Sequence, residues 1–250
     1  MDTDLDLLPR LLYRDGLMLV LDKPAGVPVH RGPKAAAGDV NMEQFFGQLT
    51  FGLPRVPSLA HRLDKDTSGC LVLGRHRKAL ETLGTLFKQG KVGKTYWAIV
   101  EGGPEVEEGL IDRPLGRRDA TRGWWMKVDD DGQEARTRWR VLGRGTDADG
   151  RALSWLALEP LTGRTHQLRV HCSSMGWPIL GDTVYGSAPR TGGPMLHLHA
   201  RDVVVPISRN REPVRVRAPA PGHMLDRLAA CGWPGEEQPA PAPDPVATPP

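Results

Sequence analysis

Apolar residues recur along this chain in two rhythms, one continuous or alternating as in strands, the other spaced by three and four as in helices. Leu17 to Leu21 is an unbroken apolar run that closes on the turn Lys23-Pro24-Ala25-Gly26, the pattern of a buried strand, and Cys70 to Leu73 is another. Between His76 and Gln89, the residues Ala79, Leu80, Leu83, Leu86 and Phe87 share one helical face, and Gly90 suits the position that ends the helix. Thr95 to Val100 is β-branched and aromatic. Its alternation sets Tyr96, Ala98 and Val100 on one face and Trp97 and Ile99 on the other, which gives Tyr96 a fixed direction. Arg136 to Leu142 and Ala152 to Leu158 read as antiparallel strands around the loop Thr146 to Gly150. After Thr162-Gly163, Leu168, Cys172 and Met175 form a helical stripe that Gly176 can terminate. Strands follow at Met195 to His199 and Val203 to Ile207, with a short helix near His223 to Ala230. This mixture predicts an α+β fold: a mostly antiparallel mixed sheet with flanking helices.

Composition narrows the class. With 39% apolar residues in 250, the chain can build one substantial core, and residues 1–234 are expected to form a single domain. Gly235 to Pro250 consists of Pro, Ala and a few acids, too little apolar surface to offset the entropy of ordering, and reads as a disordered tail. The longest apolar runs fall far short of the roughly 20 residues that span a bilayer, and the acidic start Met1-Asp2-Thr3-Asp4 lacks a secretory signal, so a cytoplasmic protein with no membrane partner is expected. The three cysteines, Cys70, Cys172 and Cys231, are too widely spaced for a zinc site or a disulfide framework. The net charge is +3. Removing the three acids of the tail, Glu236, Glu237 and Asp244, leaves the body at +6, which permits a polyanionic partner without requiring one.

Three clusters carry candidate chemistry. In His61-Arg62-Leu63-Asp64-Lys65-Asp66-Thr67-Ser68-Gly69, the acids imitate the opening of a calcium loop, but the twelfth position from Asp64 is Arg75, where such a loop needs a bidentate Glu. A polar turn, with Asp66, Thr67 and Ser68 bonded to nearby backbone, stays open on local chemistry. Gly90-Lys91-Val92-Gly93-Lys94-Thr95 imitates a nucleotide phosphate loop, yet the required earlier Gly is Lys88 and a strand follows in place of a helix. Lys88, Lys91 and Lys94 then form a basic edge or ordinary solvated surface. The third cluster runs from Leu161 to His171. His166 and His171 are five apart and share no helical face, so no metal site is expected, while Arg164 suits a charged hydrogen bond to a carboxylate or phosphate.

Taken in order, the pieces Asp22-Lys23-Pro24-Ala25-Gly26, His61-Arg62-Leu63-Asp64 with Thr67-Ser68-Gly69, Lys94-Thr95-Tyr96-Trp97-Ala98, Leu161-Thr162-Gly163-Arg164 with His166-Gln167-Leu168-Arg169, Gly181-Asp182 with Tyr185-Gly186, and Leu198-His199-Ala200 resemble the RluA-type family of RNA pseudouridine synthases, over about residues 10 to 220. The resemblance implies a pseudouridine synthase catalytic domain that detaches uracil from its ribose, turns the base and rejoins it through C5, without any cofactor. It implies an RNA partner, a stem-loop of ribosomal RNA or tRNA, and not DNA; a monomer is expected.

The same resemblance assigns roles. Asp64 is implied as the nucleophile, whether it attacks the ribose or assists elimination to a glycal. Tyr96 is implied to lie against the target base, and Arg164 to pair with the catalytic carboxylate, orient it and keep it ionised. Arg62 resembles the residue that fills the gap left by a flipped uridine. Leu168 packs on the base or in the core, and Arg169 joins it in substrate binding. Arg113, Arg117, Arg118 and Arg122 lead into Trp124, Trp125 and Lys127, a mixture suited to phosphates and unstacked bases, or to an ordinary hairpin surface. The chain departs from many relatives in having only about a dozen residues before the first matching strand, too few for an N-terminal module of the ribosomal S4 type, and in Val203-Val204-Val205-Pro206-Ile207 near the last strand. The competing class is an RNA-binding assembly factor that keeps the fold without catalysis; zinc-dependent deamination lacks its Cys pair.

Overall fold

A computed structural model describes residues 5–32, 39–118, 125–208 and 210–236. The chain enters through a hairpin of β1 (Leu11–Arg14) and β2 (Met18–Lys23), turned by Asp15, whose carboxylate accepts the backbone N–H groups of Leu17 and Met18 at 2.7 and 2.8 Å. β2 is the expected buried strand. It pairs antiparallel with β4 (Ser68–Gly74), which is buried along its whole length, and β4 also pairs with the two-residue β3 (Ser58–Leu59). α1 (Arg77–Lys88) starts where the His76 ring accepts the N–H of Ala79 at 3.2 Å, and buries Ala79 and Leu83. It lies close over β4 because Gly74 has no side chain: a Cβ there would stand 2.9 Å from the Leu80 backbone.

β5 (Gly93–Glu101) is followed by β6 (Glu108–Asp112), then by β7 (Leu115–Arg117) and β8 (Met126–Val128), which form a separate two-stranded ribbon. The long pair β9 (Arg136–Thr146) and β10 (Ala152–Pro160) leads to α2 (Gln167–Ser174), then β11 (Leu198–Val205), β12 (Val214–Arg217) and α3 (Leu225–Ala230). Among the described residues the main sheet has ten strands, running β1-β2-β4-β11-β5-β10-β9-β6, with β3 on β4 and β12 on β11. Every pairing is antiparallel except β4 with β11, which meet only at Ser68–His199 and Gly69–Ala200. Gly69 makes that join possible. Its φ is +101°, and a Cβ would fall 2.3 Å from the Ala200 carbonyl oxygen.

β5 divides the interior as its alternation predicts. Ala98, Val100 and Tyr96 pack toward Leu168 and Cys172 of α2, while Ile99 and Trp97 pack toward Met224 and Leu228 beside and within α3. A third body of apolar residues, from Met18 to Leu21 and Leu71 to Leu73, fills the β2–β4 half. The α+β architecture is the expected one.

Some details differ. The two strands expected at Met195–His199 and Val203–Ile207 are one strand, β11. The polar Arg201 between them looks like a break, but its guanidinium is buried against the Trp97 ring, 4.1 Å from the centroid, and is neutralised by Glu236. The same pair carries ordered contacts past the expected start of the tail, for the Glu236 carboxylate also accepts the N–H of Ala220 at 2.6 Å. Residues 237–250 lie outside the described residues. Met175 leaves the predicted stripe: α2 ends at Ser174, and Met175 is a cap residue, 38% exposed. The short strands β1, β6, β7, β8 and β12 have no counterpart in the apolar rhythm.

Candidate active site

The segment His61 to Ser68 is held at both ends by the core. The His61 ring stacks on Phe87 of α1, centroids 4.5 Å apart, and its Nε2 accepts the N–H of Val72 at 3.0 Å. Burial, and the nearby charge of Lys94, push its pKa down to about 3, so the ring is neutral and fit to accept. Leu63 then enters the core, leaving Arg62 exposed on one side and the Asp64 carboxylate, with about 30% of the side chain exposed, on the other. The turn continues as the N–H of Thr67 bonds to the Asp64 carbonyl, 3.2 Å.

Beneath that turn lies Lys23, fully buried at the end of β2. Its Nζ donates to the carbonyls of Pro24, Lys65 and Thr67 at 2.7, 2.8 and 2.9 Å, one for each ammonium proton. Burial pushes its pKa down to about 7, while Asp66, Asp64 and Asp22 oppose the fall. On the far side, Ser68 Oγ is 2.9 Å from His199 Nδ1 of β11. The loop is therefore tied to three strands and a helix, which fixes the place of the Asp64 carboxylate.

The facing wall is the start of α2. Gln167 organises it: its Oε1 accepts from Thr162 Oγ1 and from the N–H of Arg164 at 2.8 and 3.0 Å, and its Nε2 donates to the Arg136 carbonyl and Thr137 Oγ1 at 2.9 and 3.0 Å. His166 precedes the helix at φ +52°, ψ +18°, a left-handed conformation that strains a residue with a Cβ. Arg169, one turn into the helix, is 6% exposed. Its Nε and NH2 grip both oxygens of Asp182 at 2.8 Å, and its NH1 stands 3.6 Å from Asp64 Oδ2. Burial alone would raise the Asp182 carboxyl, but Arg169 and the N–H groups of Tyr185 and Val184 hold it below its ordinary value. His166 Nε2 is 3.8 Å from the same Asp64 oxygen, and its Nδ1 is 2.8 Å from the Tyr185 hydroxyl, which accepts the N–H of Met126 in β8.

This geometry corrects one assignment. Arg164 does not pair with Asp64; its Nε donates to the Glu134 carbonyl at 2.9 Å. The reason is position along the chain: Arg164 sits in the approach to α2, where its guanidinium is drawn to the Glu134 carbonyl, whereas Arg169 lies on the first helical turn with its NH1 toward Asp64. Arg169 thus occupies the place expected of Arg164.

Asp64, Arg62, Tyr96, Leu168, Arg169 and Arg164 all line one cleft of about 720 Å³, the size range of small-molecule sites. Tyr96 reaches it from β5, between Leu158 of β10 and Ala200 of β11. Burial first, then the neighbouring Asp64, push its hydroxyl above the usual tyrosine value, so it stays protonated at neutral pH. Leu168 lines the cleft and belongs to the same apolar cluster as Ala98 and Cys172. Sequence reasoning gave no roles to Lys23, His166, Asp182, Tyr185 or Leu198, although each stands within a quoted motif. Of the Arg/Trp stretch, Arg122 and Trp124 lie outside the described residues. Arg113 is structural, donating to the Ser174 carbonyl at the end of α2, and Arg118 lies 5.4 Å from the Trp125 ring centroid. Among the described residues no group of His, Cys, Asp or Glu could hold a metal, and no helix is long and apolar enough to cross a membrane.

Comparison with known proteins puts this cleft in context. The RNA pseudouridylate synthase family model matches residues 17–174, from β2 to the end of α2. An uncharacterized RNA pseudouridine synthase of Zymomonas mobilis is 42% identical over 221 residues, 87% of this chain and 96% of the relative. The ribosomal large subunit pseudouridine synthase C of Vibrio cholerae is 30% identical over 87% of this chain and 68% of its own length. The solved structure of human RNA pseudouridylate synthase domain containing 1 superposes with a TM-score of 0.72 at 30% identity, covering 90% of this chain and 87% of that one. With a family match across most of the sheet and a relative covered nearly end to end, this chain belongs to the RluA-type RNA pseudouridine synthases and is an isomerase of that class.

Proposed function

We propose that the enzyme isomerises a specific uridine of a structured RNA, with Asp64 as the reacting group. The observation that carries this reading is the Asp64 carboxylate, open to the cleft and faced by the Arg169 guanidinium at 3.6 Å. The guanidinium holds the carboxylate in place, facing the position from which it attacks the ribose or assists departure of the base. Arg169 acts through Asp64 as a positioning residue, locked in turn by Asp182. Tyr96 offers its ring to the uracil, and its protonated hydroxyl is a hydrogen-bond donor toward the entering nucleotide. Arg164, on the cleft rim, serves RNA contact rather than Asp64.

A uridine inside a helix cannot reach a carboxylate at the base of a cleft, so the nucleotide flips out of its stack; exposed Arg62, beside the entrance, supports the opened RNA. The substrate is a stem-loop of large-subunit ribosomal RNA or of tRNA, the former supported by the likeness to the Vibrio enzyme. The protein acts as a cytoplasmic monomer, and residues 1–234 form its single catalytic domain. Pseudouridine mapping of total RNA from cells with the gene, without it, and with the Asp64→Ala form tests the reading. One modification should vanish on deletion and stay absent in the variant. Its return with Asp64→Ala would reject Asp64 as the reacting group, and an unchanged map on deletion would favour an RNA-binding role without catalysis.

A further inference from the structure

The cations lining the cleft differ in how their charge is met. Arg62 and Lys65 are exposed to water, Arg164 donates to the Glu134 carbonyl, and Arg169 is held by Asp182. Lys94 belongs to neither group. It is half-buried on β5, two residues before Tyr96 and therefore on the same strand face, and it lines the same cleft. Among the described residues its Nζ has no hydrogen-bond acceptor and no carboxylate at ion-pair distance. Its close electrostatic neighbour is the His61 ring, which burial keeps neutral and which cannot balance a charge.

Water is partly withdrawn from this ammonium, and burial lowers its pKa. A desolvated charge without a counter-charge is unfavourable in the free protein and becomes favourable only when an anion arrives. The position rules out several anions of the protein itself: Asp64 is engaged across the cleft by Arg169 and His166, and Asp66 is exposed on the turn above Lys23. What a nucleotide brings into such a cleft is its own phosphodiester, one negative charge per residue. A compact ammonium with three rotatable donors suits a phosphate that must be grasped as a point charge.

We infer that Lys94 is a phosphate subsite of the cleft, binding a phosphodiester of the nucleotide that enters beside Tyr96. This rests on the RNA-isomerase reading above and adds a binding residue to it. The charge acts on binding of the nucleotide, before and during the chemical step alike, so it lowers KM with little effect on kcat.

The test is tritium release from RNA labelled at uridine C5, prepared from cells lacking the gene, with KM and kcat measured across a salt series. At moderate salt, Lys94→Met should raise KM about tenfold, the share of one charge-assisted hydrogen bond, with kcat within about threefold of the parent. The log–log salt dependence should lose about 0.7, the contribution of one phosphate of a single strand. Lys94→Arg should restore both KM and the slope. Lys94→Gln provides the same reading should the Met variant fail to fold. An unchanged KM and slope overturn the inference while leaving the isomerase reading intact; so does a loss confined to kcat, which would place Lys94 in the chemistry. No release by the parent enzyme overturns the reading on which both depend.

Discussion

On the α2 side of the cleft, Arg169 is surrounded by acceptors: both oxygens of Asp182, and Asp64 within 3.6 Å. On the β5 side, Lys94 has a neutral histidine for a neighbour and no acceptor among the described residues. Both are cations withdrawn from water along the same cleft. The difference separates two tasks. A charge completed within the protein is preorganised and holds another group in place before substrate arrives; a charge left incomplete is finished by the substrate and acts in binding.

The largest effect should follow from breaking the completed side. Asp182→Ala strands the Arg169 guanidinium in a buried site, and the loss of stability should be about 3–5 kcal/mol in urea unfolding, the range for removing one partner of a buried pair. A loss below about 1 kcal/mol would show that water, rather than Asp182, satisfies Arg169. Replacing both partners, as Arg169→Met with Asp182→Leu, should recover most of the stability but leave tritium release at least about a hundredfold down, because Asp64 has lost its neighbour. Recovery of activity along with stability would reduce Arg169 to a structural residue.

The site was legible in the sequence in a particular way. Asp64 and Tyr96 could be found because a motif order surrounds them and because the alternation of β5 gives Tyr96 a direction. α1 was legible because its five apolar residues keep one face and Gly90 follows its end. The choice between Arg164 and Arg169 was not legible. Both sit in one cationic stretch, and only the onset of α2 at Gln167, fixed by bonds reaching back to Arg136 and Thr137, decides which of them faces Asp64. Asp182 lies thirteen residues from Arg169, across the end of the helix, and local pattern carries no trace of that partnership. Lys23 hid for a similar reason, since two of its three acceptors are carbonyls 42 and 44 residues away. The short outer strands were missed because they bury too few positions to print a rhythm.

A pH series probes the support beneath the loop that carries Asp64. His199, which meets Ser68, and His197 are buried, and burial lowers the pKa of each to about 4. The unfolded chain takes up protons near the ordinary value of 6.5, while the folded chain does so only near 4. Stability should therefore be full above pH 6.5 and fall as pH drops toward 4, seen as a falling Tm. A Tm that holds steady across this window would mean that these rings accept protons within the fold.

The smallest effect should come from Arg164→Met, which removes a half-buried guanidinium bonded to one carbonyl. Tritium release should keep kcat within about threefold of the parent, with any loss appearing in KM. A hundredfold loss of kcat would restore Arg164 to the catalytic carboxylate and erase the distinction drawn between the two arginines.

The account depends most on Asp64 itself. Asparagine keeps its shape and most of its packing but can neither attack nor accept a proton. Single-turnover tritium release by Asp64→Asn, at enzyme concentrations that saturate the RNA and with folding checked by Tm, measures the chemical step apart from binding. The predicted result is a rate at least about a thousandfold below the parent with RNA affinity nearly unchanged; a rate within tenfold of the parent would contradict the claim that this carboxylate carries the isomerisation.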